Sequence, residues 1–274
     1  MTIGFRGSGF ELKCQGASDE NTDSNFTFGN RLVRRYFMNE PVVWLDDGTA
    51  HSPRFNDRYC SRSGGLAQAV TVFLAGCDVP QCWRGKNQFT VLETGFGLGL
   101  NFLATWATWQ ADPQRCDLLS YVSVEAYPVA AADIVRSALT ASQAESPLQT
   151  HLRSVVMELA DAWGDPLPGI HNFCFAAGRV RLTLAVGQIQ PMLDSLACTA
   201  DAVYLDGFSP TLNPEMWSAA TLQALAPHCR VGTTLASYTV AKSVRQELEQ
   251  LGFCVEKCQG LPPKRHRLKA VYGP

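Results

Sequence analysis

VLETGFGLGLNF, Val91–Phe102, sets Gly95, Gly97 and Gly99 at alternate positions between an apolar run and a segment of helical spacing. The residues FTVLE, Phe89–Glu93, have the apolar, β-branched content of a buried strand. LNFLATWATWQ, Leu100–Gln110, carries its apolar residues at helical intervals. A strand that turns on glycine into a helix sits at the carboxyl end of a sheet, where open α/β sheets bind ligands. Glycine accepts unusual backbone angles there and lets a ligand touch the main chain. A plain turn needs one or two; three at alternate positions point to a bound group.

Working outward, the alternation continues. LLSYVSVEA (118–126) reads as a second strand, Val129 to Trp163 as helix-rich, VRLTLAVG (180–187) as a strand and IQPMLDSL (189–196) as a short helix. DAVYLDGF (201–208) is another buried strand, and PEMWSAATLQALAP (214–227) opens with proline at a first helical turn, where its missing N–H costs nothing. GTTLASYT, AKSVRQELEQLG, FCVEKCQ and HRLKAVYG, from Gly232 to Gly273, complete strand, helix, strand, strand. Such alternation implies a mainly parallel sheet covered on both faces, with an antiparallel hairpin at its C-terminal edge. Residues 11–27 look like a loose arm, and 29–85 are mixed, with short strands and a helix near Leu66–Leu74. The chain therefore divides into an N-terminal extension packed on the core, 1–85, and a main domain, 86–274.

Composition sets outer limits. The chain has 274 residues, 18% charged and 46% apolar, with a net charge of -2, the balance of an ordinary globular protein. That charge argues against a protein that coats nucleic acid indiscriminately, yet leaves room for a local basic patch. No stretch approaches the roughly 20 apolar residues of a membrane span, and no signal-peptide pattern opens the chain. A cytoplasmic chain with free thiols is expected. Cys77/Cys82 and Cys254/Cys258 lack zinc-knuckle spacing and have no His partner nearby in sequence, so no metal site is expected.

The loop's chemistry narrows the ligand. A dinucleotide fingerprint would need glycine where Leu100 stands, and a phosphate loop would need a lysine after the glycines. What remains, acid-x-Gly-x-Gly-x-Gly, is typical of Rossmann-like S-adenosylmethionine methyltransferases. That cofactor carries an ammonium and a sulfonium but no pyrophosphate, so Glu93 beside the turn attracts it. Glu125, ending the second strand, is placed to accept both ribose hydroxyls, and Gln188 can accept from an adenine amino group. Asp206 ends the fourth strand on the same crevice. A carboxylate there can orient an amine acceptor and receive its proton.

The strings SPRFNDRYCS, LETGFGLGLNFLATW, SVEAYPV, VYLDGFSPTLNPEMW, GTTLASYTVAKSVRQELEQLGF and PKRHRLKA, between Ser52 and Ala270, resemble the methyltransferase domain of MnmC-type tRNA wobble-uridine enzymes. The resemblance implies an α/β, Rossmann-like class I fold with a mainly parallel seven-stranded sheet, an antiparallel C-terminal edge hairpin and a small N-terminal extension. It implies methyl transfer from S-adenosylmethionine to the aminomethyl nitrogen of a wobble uridine, forming 5-methylaminomethyl-(2-thio)uridine. Glu93, Gly95, Gly97, Gly99, Asn101, Glu125 and Gln188 would then be cofactor contacts, Asp206 the catalytic carboxylate, and Phe208 and Pro210 the acceptor pocket. The expected partner is the anticodon stem-loop of tRNA, with a separate FAD-dependent oxidoreductase acting upstream. Lys264 and Arg265, in a basic run, could hold its phosphates; Arg54, Arg58 and Tyr59 combine charge with a stacking surface for a splayed-out base. Leu98, Gln188 and His266 depart from the family pattern. Methylation of a small-molecule amine, or a catalytically weak cofactor-binding subunit, are the alternatives.

Overall fold

The structure, a computed structural model, describes residues 39–140 and 147–273; the arm expected at 11–27 lies outside these residues. The first described segment makes a small antiparallel sheet of β1 (Val43–Trp44), β2 (Ala50–Ser52) and β3 (Asp57–Arg58). A short helix, α1 (Gly65–Gln68), runs directly into a π-helical turn over Ala69–Leu74, filling the place where the pattern predicts a helix.

Then the main sheet begins. In chain order it and its covering helices are β4 (Gln88–Glu93), α2 (Leu100–Ala111), β5 (Leu118–Glu125), α3 (Ala131–Thr140), α4 (Pro147–Trp163), β6 (Gly169–Phe175) and β7 (Val180–Val186). These are followed by α5 (Ile189–Ser195), β8 (Ala200–Tyr204), α6 (Ala219–Leu225), β9 (Cys229–Ser237), α7 (Lys242–Gln250), β10 (Phe253–Gln259) and β11 (His266–Tyr272).

The spatial order is β10-β11-β9-β8-β4-β5-β7-β6, with β4, β5, β7, β8 and β9 parallel to their neighbours in that group. At the C-terminal edge β11 runs antiparallel between β9 and β10. The sheet has eight strands, not seven. The addition is β6, antiparallel to β7 at the other edge. Its residues alternate between half-buried and exposed, so it has no continuous apolar run to announce it, unlike the doubly covered strands.

β4 lies at the centre, parallel to β5 on one side and β8 on the other. Chain order reverses there, which opens a crevice beyond the carboxyl ends of the strands. Each sheet face has its own apolar cluster. One gathers Phe102, Trp106, Trp109, Tyr121 and Trp163 around α2 and α4, and takes in Ala50, Leu66 and Phe73 from the segment before β4. Residues on both sides of position 85 share this cluster. The other cluster joins Leu92, Val203 and Leu235 to Leu193, Leu222 and Val244 on α5, α6 and α7. Burying each large side chain contributes about 1.5–3 kcal/mol. The indoles of Trp109 and Trp163 are also satisfied, donating to Cys116 O and Val129 O at 2.9 Å.

Helix α2 begins at Gly99, which sits in the left-handed region at φ 70° and ψ 11°. A Cβ there would lie 2.9 Å from the Phe96 ring. Substituting Gly99→Ala should cost about 1–3 kcal/mol from the left-handed conformation, with the ring contact adding to it. Urea unfolding monitored by circular dichroism measures this; a stability equal to the parent's would show that the turn relaxes freely.

Candidate active site

Above β4, β5, β7 and β8 lies a cavity of about 560 Å³. The turn Thr94–Leu98 forms its floor, and its walls include Glu125, Gln188, Asp206, Phe208 and Lys264. Each glycine of the turn has its own cause. A Cβ on Gly95 would press to 3.1 Å on the Asp206 carbonyl oxygen, while Gly97 has φ 52°. Gly99 starts the helix behind the wall, so it shapes the loop without lining the cavity.

Glu125 laces three strand ends together. One carboxylate oxygen accepts the Gly97 N–H at 2.7 Å and the other the Tyr127 N–H at 2.8 Å. Its carbonyl accepts from Gly187 N–H at 3.0 Å, at the end of β7. Burial raises Glu125 above the usual carboxylate range, against the pull of those backbone donors. Each oxygen keeps lone-pair capacity toward the cavity, which suits a pair of vicinal hydroxyls. Gln188, at the start of α5, is exposed on the rim, its amide 3.4 Å from the Tyr127 hydroxyl.

Glu93 is placed differently from expectation. It is fully enclosed and does not line the cavity. Its two oxygens accept from Asn101 Nδ2 at 2.9 Å and Ser123 Oγ at 2.8 Å. Burial, with Asp206 adding to it, pushes Glu93 up to about 8. The acid at the head of the motif is thus held toward its protonated form, and the carboxyl groups that line the cavity are those of Glu125 and Asp206.

Asn101 serves both sides. Its amide nitrogen donates to Glu93 and also to Asp206 Oδ2 at 2.8 Å. The other Asp206 oxygen accepts the Gly207 N–H at 2.9 Å. Thr94 fixes the backbone, accepting the Asp206 N–H at 3.0 Å and donating to its carbonyl at 2.6 Å. Burial raises Asp206 to about 6, partly countered by Gly207, Asn101 and the charge of Lys264.

The outer half of the cavity is aromatic. Phe55 stacks on Phe208 with centroids 4.6 Å apart, and Tyr59 meets Phe208 edge-on at 5.0 Å. Trp217 Nε1 donates to Phe208 O at 2.7 Å and Tyr238 Oη to Gly207 O at 2.8 Å, so the loop after Asp206 is tied on two sides. Pro210 and Arg58 also line this half, and Arg58 is paired with Asp47 at 2.8 Å. Arg54 and Arg265 stand outside the wall. Arg54 instead bonds the buried Glu40 at 2.8 Å and lies over the Tyr127 ring. Sequence reasoning missed Asp57 and Tyr238 as parts of the site. Asp57 Oδ2 accepts the Ser209 N–H at 2.9 Å across 152 residues, a meeting that local pattern does not announce. Among the described residues no cluster of three or more His, Cys, Asp or Glu is placed to hold a metal, and no helix is long and apolar enough to cross a membrane.

A phosphate would claim the N–H of Gly97, yet that group is already given to Glu125, and the charges facing the turn are carboxylates. Such a cradle suits a nucleoside bearing positive charge, the kind of cofactor used by the Rossmann-like class of methyl-transferring enzymes. Residues 150–273 match the family model described as S-adenosyl-L-methionine-dependent methyltransferase. Two curated relatives, from Acidovorax sp. (strain JS42) and Delftia acidovorans, are 52% and 53% identical over 237 residues, which cover 86% of this chain and 36% of each relative. Both are tRNA 5-methylaminomethyl-2-thiouridine biosynthesis bifunctional proteins MnmC, so the chain spans about a third of their length. The solved structure of MNMC2 from Aquifex aeolicus shares the fold, with a TM-score of 0.64 over 93% of this chain and 81% of that one at 21% identity. The chain is thus similar over residues 150–273 to the S-adenosyl-L-methionine-dependent methyltransferases and over most of its length to part of the MnmC proteins. S-adenosylmethionine, when bound, would supply an electrophilic methyl group.

Two measurements test this assignment of roles. Glu125→Ala should weaken S-adenosylmethionine binding about 10- to 100-fold in calorimetry, the range expected for lost charged hydrogen bonds, with the circular dichroism spectrum retained. For Glu93 the sign follows from its raised value. Its contribution to stability is complete below about 4.5 and is lost as pH rises through about 8. Glu93→Gln, which mimics the neutral form, should gain on the parent in melting temperature between pH 5 and 9; parallel curves would contradict a neutral Glu93.

Proposed function

We propose that this chain transfers the methyl group of S-adenosylmethionine to the primary amine of the 5-aminomethyl group on a wobble uridine of tRNA. The observation that carries the reading is the position of Asp206. It stands between the glycine turn and the Phe55, Tyr59 and Phe208 rings, held by Asn101 and Gly207. The MnmC names of relatives about half identical to this chain supply the tRNA.

In this reading the aromatic wall stacks the extracted base, a sequence-tolerant contact available to any nucleobase. Asp206 accepts a hydrogen bond from the amine, aims its lone pair and takes one proton from it. Proximity and that proton are most of what the displacement requires. Arg265, exposed beyond the wall, and Arg58 within it are proposed to meet phosphates of the anticodon stem-loop. The relatives are bifunctional and more than twice as long, so the amine is proposed to come from a FAD-dependent oxidoreductase acting upstream in the same cytoplasmic compartment.

The experiment is direct. Protein, labelled S-adenosylmethionine and tRNA bearing the unmethylated aminomethyl uridine are incubated, and the labelled nucleoside is identified; a small amine serves as the competing substrate. Label in 5-methylaminomethyl uridine supports the reading, and label only in the small amine overturns it. Asp206→Ala should lower turnover by about 10²- to 10⁴-fold while cofactor affinity stays within a few-fold. Because Asp206 must be ionised and sits at about 6, kcat/KM should fall as pH drops through that value. A pH-independent rate would remove Asp206 from the role.

A further inference from the structure

The basic run Lys264–Lys269 does not form one surface strip. Lys269 pairs with Asp78 at 2.8 Å, and Arg267 lies half-buried on its strand, packed near Gly76. Arg265 and His266 are exposed, and Lys264 as a whole is exposed too, yet it lines the cavity with its Nζ 3.6 Å from the centre of the Tyr238 ring. That ring is itself fixed, since its hydroxyl donates to Gly207 O, the residue beside Asp206. A cation over an aromatic face gains from the ring's negative quadrupole, which gives the ammonium of this exposed residue a preferred seat.

The surrounding charges are specific. Asp206 and Asp57 act on Lys264 as favourable charges, while burial pulls it below the ordinary ammonium range. Glu215, from the loop after Asp206, and Arg58 and Arg62, from the segment after β3, share the cavity wall. Tyr59 and Cys60 line it as well, and burial raises both, so they are uncharged at neutral pH.

We propose that Lys264 is a tuning cation of the acceptor site, its ammonium beside Asp206 holding the incoming nitrogen in its neutral, nucleophilic form. The inference rests on the amine acceptor proposed above. A primary amine arrives mostly as ammonium, and its lone pair is free only after one proton has left. Lys264 and the cofactor's sulfonium both oppose a third positive charge, so the ammonium gives that proton to solvent water before transfer. The lone pair then forms the N–CH₃ bond as the S–CH₃ bond breaks, with the bonding pair remaining on sulfur. The nitrogen becomes a secondary ammonium and releases a proton to the Asp206 carboxylate. Lys264 also keeps that carboxylate ionised at lower pH. It acts through charge on two other groups and is a positioning residue.

The test compares Lys264→Met and Lys264→Arg with the parent, using tRNA carrying the aminomethyl uridine. Removing the charge should move the acid limb of the kcat/KM profile up by about one pH unit, with KM for tRNA within about twofold; Lys264→Arg should keep the parent's profile. An unmoved limb overturns the proposal, and a raised, salt-dependent KM with that unmoved limb would make Lys264 a phosphate contact instead. A second readout needs no turnover. The Asp206 carboxyl carbon, followed by NMR in labelled folded protein, should titrate at higher pH in Lys264→Met. An unchanged titration overturns the inference, whereas failure of the parent to methylate tRNA would sink the tRNA reading and leave this titration to decide on Lys264.

Discussion

Two carboxyl groups inside one protein interior cannot both ionise cheaply, and the amide of Asn101 resolves that conflict here. It gives one N–H to Glu93 and the other to Asp206. Glu93, sealed from water, keeps its proton at neutral pH; Asp206, at the cavity wall, gives its proton up first. The order follows from burial. Because Asn101 stands in the first turn of α2, the glycine turn that starts that helix also determines where Asp206 is anchored. The glycine turn, Asn101 and Asp206 are thus linked in one arrangement.

Much of this was readable in the residues. Buried parallel strands announce themselves as continuous apolar runs, so β4, β5, β7 and β8 and the crevice at their ends could be placed from sequence. The motif that positions Glu125 and Asp206 at strand ends could be placed too. What a motif does not carry is the direction of a side chain relative to neighbouring strands. Glu93 pairs in register with Ser123 and Tyr204, and that register encloses it, whereas Glu125, one strand over, reaches the cavity. The acid that named the motif therefore is not the acid that faces the ligand.

Contacts made across long chain separations were out of reach for the same reason. Asp57 and Phe55 look like loop residues until the small antiparallel sheet brings them over Ser209 and Phe208. Arg54 looks like a free cation until Glu40, itself buried, is found beside it. A basic run reads as a solvated strip, yet its first lysine, though exposed, lines the cavity against the Tyr238 ring. Strand β6 escaped detection because it is covered on one face only and its apolar residues alternate.

The arrangement of strand pairings bears on how the chain acquires its active site. The flanks of the sheet, β6 with β7 and β10 with β11, are hairpin pairings between consecutive strands and need only short loops to close. The centre is joined by β4 with β8, and the Asn101–Asp206 bond spans 105 residues. Local pairings form quickly, whereas closing so long a loop costs entropy before any contact rewards it. Asp206 thus acquires its Asn101 anchor only when the middle of the sheet closes. A nascent or partly folded chain would have ordered flanks and no competent centre, and would not engage cofactor and acceptor productively until folding is complete.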